Sequence, residues 1–136
     1  MTKLILKLSE PKSFLIIGVL YTLLITIAFI SPGLKLQKID VLLLLDKFVH
    51  VVVHLFLSGI WLSFYYLKTK KTITIRSISI IVLLCITYGI VIEVYQQLFI
   101  ASRQADLFDV LANSIGTFIG TMLFWKLKKK FIPKKV

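Results

Sequence analysis

The stretch SISIIVLLCITYGIVI (77–92) decides the fold class, because it is apolar over most of its length. A strand of a membrane barrel would alternate apolar and polar residues at period two throughout, and this stretch does not. A helix satisfies its own backbone hydrogen bonds, which a lipid environment requires. The stretch therefore predicts a membrane-spanning helix, with its apolar character extending to Ile100.

Three more stretches share this character: Ser13–Ile30, Phe48–Leu67 and Leu107–Trp125. Each is near the roughly 20 residues that a spanning helix needs. Hydrophobic residues make up 58% of the 136 residues, above the roughly 45–50% of soluble domains. Because the connections are short, we expect an all-α membrane protein, an antiparallel bundle of four transmembrane helices. The expected single transmembrane domain covers 1–136, with helices at about 13–31, 47–67, 77–100 and 107–126.

The basic residues indicate how the bundle is oriented. All of them lie at the two termini or between the second and third stretches, except Lys35, Lys38, Lys47 and Arg103. With four spans, these three regions share one side, and the positive-inside rule predicts that both termini are cytoplasmic. The net charge of +11 then indicates contact with membrane lipids rather than with nucleic acid. We therefore expect a multi-pass membrane protein.

Five of the six acidic residues, all but Glu10, and both histidines gather in the opposite, outer half. The second helix carries Asp46, His50 and His54 at a spacing of four, so they share one face. The third helix carries the neighbouring pair Glu93 and Gln96. At the start of the fourth helix, one stripe holds the following residues: Arg103, Asp106, Asp109 and Asn113. These stripes lie at one level, so we expect them to converge.

Two interpretations of this polar set compete. Polar contacts hold membrane helices together routinely, which is the simpler explanation for any single residue. Ionisable residues inside membrane segments are by default functional candidates, and so many on one face favour a site. The small residues Ala112, Gly116 and Gly120, spaced by four, predict close packing of the fourth helix on a neighbour.

Three sequence blocks resemble the VanZ-like family, small bacterial membrane proteins named for a teicoplanin-resistance protein. They are DKFVH (46–50), GIVIEVYQ (89–96) and RQADLFDVLANSIGTFIG (103–120), and the resemblance covers roughly residues 12–126. The positions that match the family pattern are Asp46, Lys47, His50, Glu93, Gln96, Arg103, Asp109, Asn113 and Gly116. Val51 and Ser102 depart from it, where the family often has an aromatic residue and a glycine. The resemblance implies a location in the bacterial cell (inner) membrane and, for one branch, glycopeptide resistance; it establishes no reaction.

The first functional hypothesis is a binding protein. It would bind an anionic lipid or cell-wall-related ligand at the outer face, such as a lipid-linked cell-wall intermediate or a lipoglycopeptide. It would be linked to glycopeptide resistance or envelope homeostasis. Lysine and arginine side chains suit the oxygens of a phosphate or pyrophosphate. The expected ligand-binding residues are Lys47, His50, Glu93, Gln96, Arg103, Asp109 and Asn113.

The alternative is a membrane enzyme that acts on a lipid-linked phosphate substrate. The candidates for acid, base or orienting group are His50, Glu93, Asp46 and Asp109. The same residues could instead hold a divalent metal, but no motif such as HExxH is present, so we expect no metal and no cofactor. A small transporter or channel subunit ranks third, because the inner halves of the helices carry few polar residues. The sequence does not predict the oligomeric state.

Overall fold

The computed structural model describes residues 10–31, 40–70, 72–100 and 106–128, with the side chains of 40–43 left aside. Within these ranges the chain forms four α-helices: α1 (Pro11–Ile30), α2 (Asp40–Lys68), α3 (Ile75–Phe99) and α4 (Leu107–Leu127). Each contains a segment long and apolar enough to cross a membrane. This confirms the prediction of an all-helical protein with four helices that could span the bilayer.

Residues at the helix starts explain where three of the helices begin. Pro11 occupies the first turn of α1, where a missing N–H costs nothing. Thr74 caps α3, its hydroxyl accepting a hydrogen bond from the N–H of Ser77. Asp106 caps α4, its carboxylate accepting from the N–H of Phe108. Each cap satisfies a backbone donor that the helix itself leaves unpaired.

Helix α2 begins at Asp40, ahead of the start expected near residue 47. The charged pair Asp46 and Lys47 marked the boundary in the sequence. Neither residue interrupts the helical hydrogen-bond ladder, however, and the segment suited to span a membrane begins at Leu44. Both charged side chains are therefore carried on a regular helix, which gives them a defined direction.

The most extensive helix contact joins α2 and α4. Glycines make it close: a Cβ atom on Gly116 would overlap the carbonyl oxygen of Val51, and one on Gly120 would overlap that of Leu55. The buried hydroxyl of Ser58 lies 3.2 Å from the carbonyl oxygen of Thr117 across this contact. The predicted packing role of the small residues in α4 is thus seen at Gly116 and Gly120, and their partner is α2.

Helix α1 packs on α2 and α3 through polar as well as apolar contacts. Tyr21 donates a hydrogen bond to the carbonyl of Val53 at 3.0 Å, and the hydroxyls of Thr26 and Tyr88 are 2.8 Å apart. The opposite face of α1 leaves large apolar side chains such as Leu24 exposed. A lipid environment suits that face, because it removes apolar surface from water.

Candidate functional site

Lys47 joins α2 to the beginning of α4. Its ammonium donates to the carboxylates of Asp106, at 2.5 Å, and Asp109, at 2.8 Å. The Nζ atom also lies 5.6 Å from the centre of the Phe108 ring. One lysine thereby holds two carboxylates that would otherwise repel each other.

Asp106 lies just outside the membrane-spanning part of α4, and its surroundings change its acidity. Hydrogen bonds from the Lys47 ammonium and from the backbone N–H of Phe108 stabilise its charged form. Together they lower the pKa of the Asp106 carboxyl below its ordinary value, with the Lys47 bond as the larger cause. Asp106 is therefore a carboxylate over the whole physiological pH range.

His50 is the centre of the buried part of the site. It is fully buried, and its Nδ1 atom lies 3.0 Å from Oδ1 of Asn113 on α4 and 3.8 Å from Oε1 of Glu93 on α3. The Phe29 ring of α1 stacks on the imidazole at 4.8 Å between ring centres, with an angle of 17°. All four helices thus contribute a side chain around one histidine.

These contacts determine which nitrogen of the neutral imidazole carries the proton. Asn113 Oδ1 and the Glu93 carboxylate are both hydrogen-bond acceptors, and both lie beside Nδ1. In the neutral form of the ring, these acceptors place the proton on Nδ1 and leave a lone pair at Nε2. The Nε2 atom faces Asp46, whose Oδ2 atom is 4.0 Å away, and it has no hydrogen-bond partner among the described residues.

Asp46, His50 and Asp109 form a group of potential metal ligands. One donor atom from each residue lies within 4.8 Å of the other two. Asp46 is partly exposed, whereas His50 and Asp109 are buried. The spacing in the sequence predicts only that Asp46 and His50 lie on one face of α2. The packing of α4 on α2 brings Asp109 next to them.

Two residues of the predicted polar stripes make other contacts. His54 lies one turn deeper than His50, where its ring is 6.0 Å from that of Tyr88. The side-chain amide of Gln96 donates to the carbonyl of Phe29 at 2.9 Å. Because the last carbonyls of a helix have no partner within it, Gln96 ties α3 to the end of α1.

The structure brings most of the predicted site residues to one end of the bundle: Asp46, Lys47, His50, Glu93, Asp109 and Asn113. Arg103 lies outside the described residues. Phe29 and Asp106 were not assigned to the site from the sequence. For Asp106 a signal existed, because an aspartate directly before an apolar helical stretch is a typical cap. For Phe29 none existed, since its contact with His50 depends on how α1 packs.

The cavities lie deeper in the bundle than this cluster. One of about 280 Å³ is apolar and is bounded by residues such as Leu57, Trp61 and Tyr88. A second, of about 230 Å³, lies near Gly59 and Phe124. Neither is lined by His50, Glu93 or Asp109. The cluster is a polar centre with a partly exposed edge at Asp46 and Lys47.

The VanZ/LLP1 family model matches residues 12–129, nearly the whole chain. The chain belongs to the VanZ/LLP1 family. With its four helices that could span a bilayer, it is a multi-pass VanZ-like membrane protein. Neither a curated protein nor a solved structure matches it. The match confirms the family resemblance that the DKFVH, GIVIEVYQ and RQADLFDVLANSIGTFIG blocks indicated. It assigns no role to the cluster around His50.

Proposed function

We propose that this VanZ/LLP1 protein is a binding protein of the bacterial cell membrane. Its cluster around His50 would bind the headgroup of an anionic lipid or of a lipid-linked cell-wall intermediate at the outer face. Such an activity would link the protein to envelope homeostasis or to resistance against glycopeptides of the teicoplanin type. The ligand-binding residues are the predicted set: Lys47, His50, Glu93, Gln96, Arg103, Asp109 and Asn113.

One observation carries the proposal: ionisable side chains from three helices converge around His50 at one end of the bundle. Glu93 and His50 are both almost completely buried and lie 3.8 Å apart. Burying charged groups is costly, and membrane helices need only a few polar contacts to associate. A cluster of this density therefore favours a site over a purely structural role. Its partly exposed edge at Asp46 and Lys47 offers a ligand access.

We further propose that the bundle is antiparallel, with both termini in the cytoplasm. Along α1 the contacts run from Gly18 with Trp61 to Phe29 with His50. The partners on α2 thus run backwards, which supports opposite directions for these two helices. Orientation in the membrane rests on the distribution of basic residues.

Cysteine labelling tests the orientation. In a Cys85→Ala background, Arg103→Cys should react with an impermeant thiol reagent added outside intact cells, and Lys70→Cys should react only after the membrane is opened. The reverse pattern would place the cluster at the cytoplasmic face and refute an outer-leaflet ligand.

Binding to the purified protein tests the headgroup proposal. Tryptophan fluorescence of the full chain in detergent would be titrated with short-chain phosphatidylglycerol, with a lipid-linked pyrophosphate and with zwitterionic phosphatidylcholine. The parent should bind the first two in preference to the third. Glu93→Gln should weaken that binding while melting like the parent, because glutamine keeps the shape and hydrogen-bonding capacity of the side chain.

Glu10→Gln is the matched control, since Glu10 is exposed and its side chain makes no cap hydrogen bond to α1. It should leave binding unchanged. Arg103→Lys keeps the charge but loses the planar fork, so it should bind phosphate oxygens less well. Full binding and full complementation of an envelope phenotype by both Glu93→Gln and Arg103→Lys would make helix association the better explanation of the cluster.

The second candidate, an enzyme acting on a lipid-linked phosphate, is favoured by the two-sided geometry of His50. Nδ1 is hydrogen-bonded to Asn113 while Nε2 keeps a lone pair near Asp46, as a general base requires. Release of inorganic phosphate from a lipid-linked pyrophosphate would identify it. His50→Gln should abolish that release, and binding without release would favour the first candidate.

A further inference from the structure

We propose that Asp46, His50 and Asp109 bind one divalent transition-metal cation, Zn²⁺ or Mn²⁺, and that this ion bridges the protein to the phosphate of its ligand. The bridging role rests on the proposed headgroup binding, whereas binding of the ion does not. The starting observation is that three donor atoms, two carboxylate oxygens and one imidazole nitrogen, lie within 4.8 Å of one another.

The spacing of the donor atoms fits an ion after a small adjustment. At metal–ligand distances of roughly 2.0–2.2 Å, tetrahedral donors lie about 3.4 Å apart, so this group must contract by about an ångström. Asp46 can make this movement because its side chain is 43% exposed. His50 and Asp109, with side chains 1% and 10% exposed, are held in place by packing.

The second, independent observation is the state of His50. Its Nε2 atom is buried and lacks a hydrogen-bond partner among the described residues. Its Nδ1 atom is bound by Asn113. Metal-binding histidines almost always donate their other ring N–H to a carbonyl or carboxylate, which orients the ring and increases its basicity. Asn113 and Glu93 are placed to do this here.

The charge of the site also favours a cation. In the described part of the cluster, Asp46, Asp106 and Asp109 contribute carboxylates, and one lysine, Lys47, is shared between Asp106 and Asp109. A bound divalent ion reduces the mutual repulsion of the carboxylates. Carboxylate ligands suit Mn²⁺ and imidazole suits Zn²⁺, so the mixed set selects this class of ion over Ca²⁺.

An ion would resolve a difficulty in the headgroup proposal. Among the described residues, the carboxylates of Asp46, Asp106 and Asp109 repel a free phosphate, and Lys47 is already bound by Asp106 and Asp109. Three protein ligands leave at least one coordination position open, as in catalytic zinc sites. A phosphate oxygen in that position would be attracted by the ion despite the surrounding acids.

Manganese titration of the full chain tests the ion site. The protein, purified in detergent and stripped with EDTA, would be titrated with Mn²⁺ while the EPR signal of the free ion is recorded. One ion should bind per chain, and Zn²⁺ should displace it. Asp46→Asn should weaken Mn²⁺ binding at least about tenfold, and Asn113→Ala, which removes the partner of Nδ1, should weaken it about 10–100-fold.

Glu10→Gln is the control, because it removes an exposed carboxylate at the start of α1, at the opposite end of that helix from Phe29. It should bind Mn²⁺ like the parent. Melting curves check that Asp46→Asn is folded, which its exposed position favours. The proposal is overturned if no saturable binding occurs, if Asp46→Asn binds like the parent, or if Glu10→Gln loses as much affinity as Asp46→Asn.

Lipid binding separates this proposal from the headgroup function. Vesicles containing phosphatidylglycerol would be mixed with the protein in the presence of Mn²⁺ or of EDTA. Binding that needs Mn²⁺ supports both proposals. Mn²⁺ binding without any lipid binding keeps the ion site and refutes the headgroup function. Equal lipid binding in EDTA keeps the headgroup function and refutes the bridging ion.

Discussion

The contact between α2 and α4 positions the whole cluster, and Gly116→Ala is its sharpest test. A Cβ atom at residue 116 would overlap the carbonyl oxygen of Val51 and lie 2.9 Å from its carbonyl carbon. Carbon atoms pack best about 3.5–4.0 Å apart, so the two helices must separate by roughly 0.5–1 Å. The obstacle is helix backbone, which cannot rotate aside as a side chain would.

The expected free-energy change combines two effects. Overpacking typically costs about 1–3 kcal/mol, and contact with backbone places this case near the upper value. Replacing glycine by alanine inside a helix stabilises the helix by at most about 1 kcal/mol. Gly116→Ala should therefore destabilise the protein by about 2 kcal/mol. It should also weaken the Asn113–His50 hydrogen bond, because Asn113 lies one turn earlier on α4.

Gly59→Ala on α2 provides the control. Nothing lies within 4 Å of a Cβ atom at residue 59, so the same substitution should leave stability unchanged or raise it by up to about 1 kcal/mol. Both variants would be unfolded in detergent with increasing SDS and followed by circular dichroism. If Gly116→Ala proves as stable as Gly59→Ala, the close approach of α2 and α4 at Val51 is wrong.

Three other variants test individual contacts. Asp106→Asn keeps the cap of α4 but removes the charge opposite Lys47, so it should destabilise the protein by about 0.2–1 kcal/mol at pH 7. Because folding lowers the pKa of the Asp106 carboxyl, this difference from the parent should disappear as the pH falls below about 4. Melting curves from pH 7 to 3 would check this, and a difference that stays constant would contradict it. Gly89→Ala would place a Cβ atom 2.8 Å from Nδ2 of Asn113 and 2.9 Å from Cε1 of His54, both on buried side chains. It should therefore lower the Mn²⁺ affinity and destabilise the protein by about 1–3 kcal/mol, as overpacking does; unchanged affinity would contradict this. Ser58→Ala should destabilise the protein by only about 0.6 kcal/mol, the typical value of a polar contact between membrane helices. SDS unfolding would measure this change, and a clearly larger loss of stability would contradict the prediction.

The sequence by itself determined the number and type of the helices. The composition and length of each apolar stretch are local properties. A bilayer requires long apolar helices however those helices pack against one another. The clustering of acids and histidines near one end was also readable, because the spacing of Asp46 and His50 defines a helix face without reference to any partner. Close packing by Gly116 and Gly120 followed from their size and spacing.

Only the tertiary structure decided which side chains meet. Lys47 is 59 and 62 residues away from its partners Asp106 and Asp109 in sequence, so this pairing depends on how far α4 is shifted along α2. The same shift places Asp109 beside Asp46 and His50, so that it becomes the third potential metal ligand of the group. Helix spacing predicts a shared face within one helix but not the rotation and offset between two helices. Those depend on side-chain packing over the whole contact, here on the glycines that let α4 approach the backbone of α2.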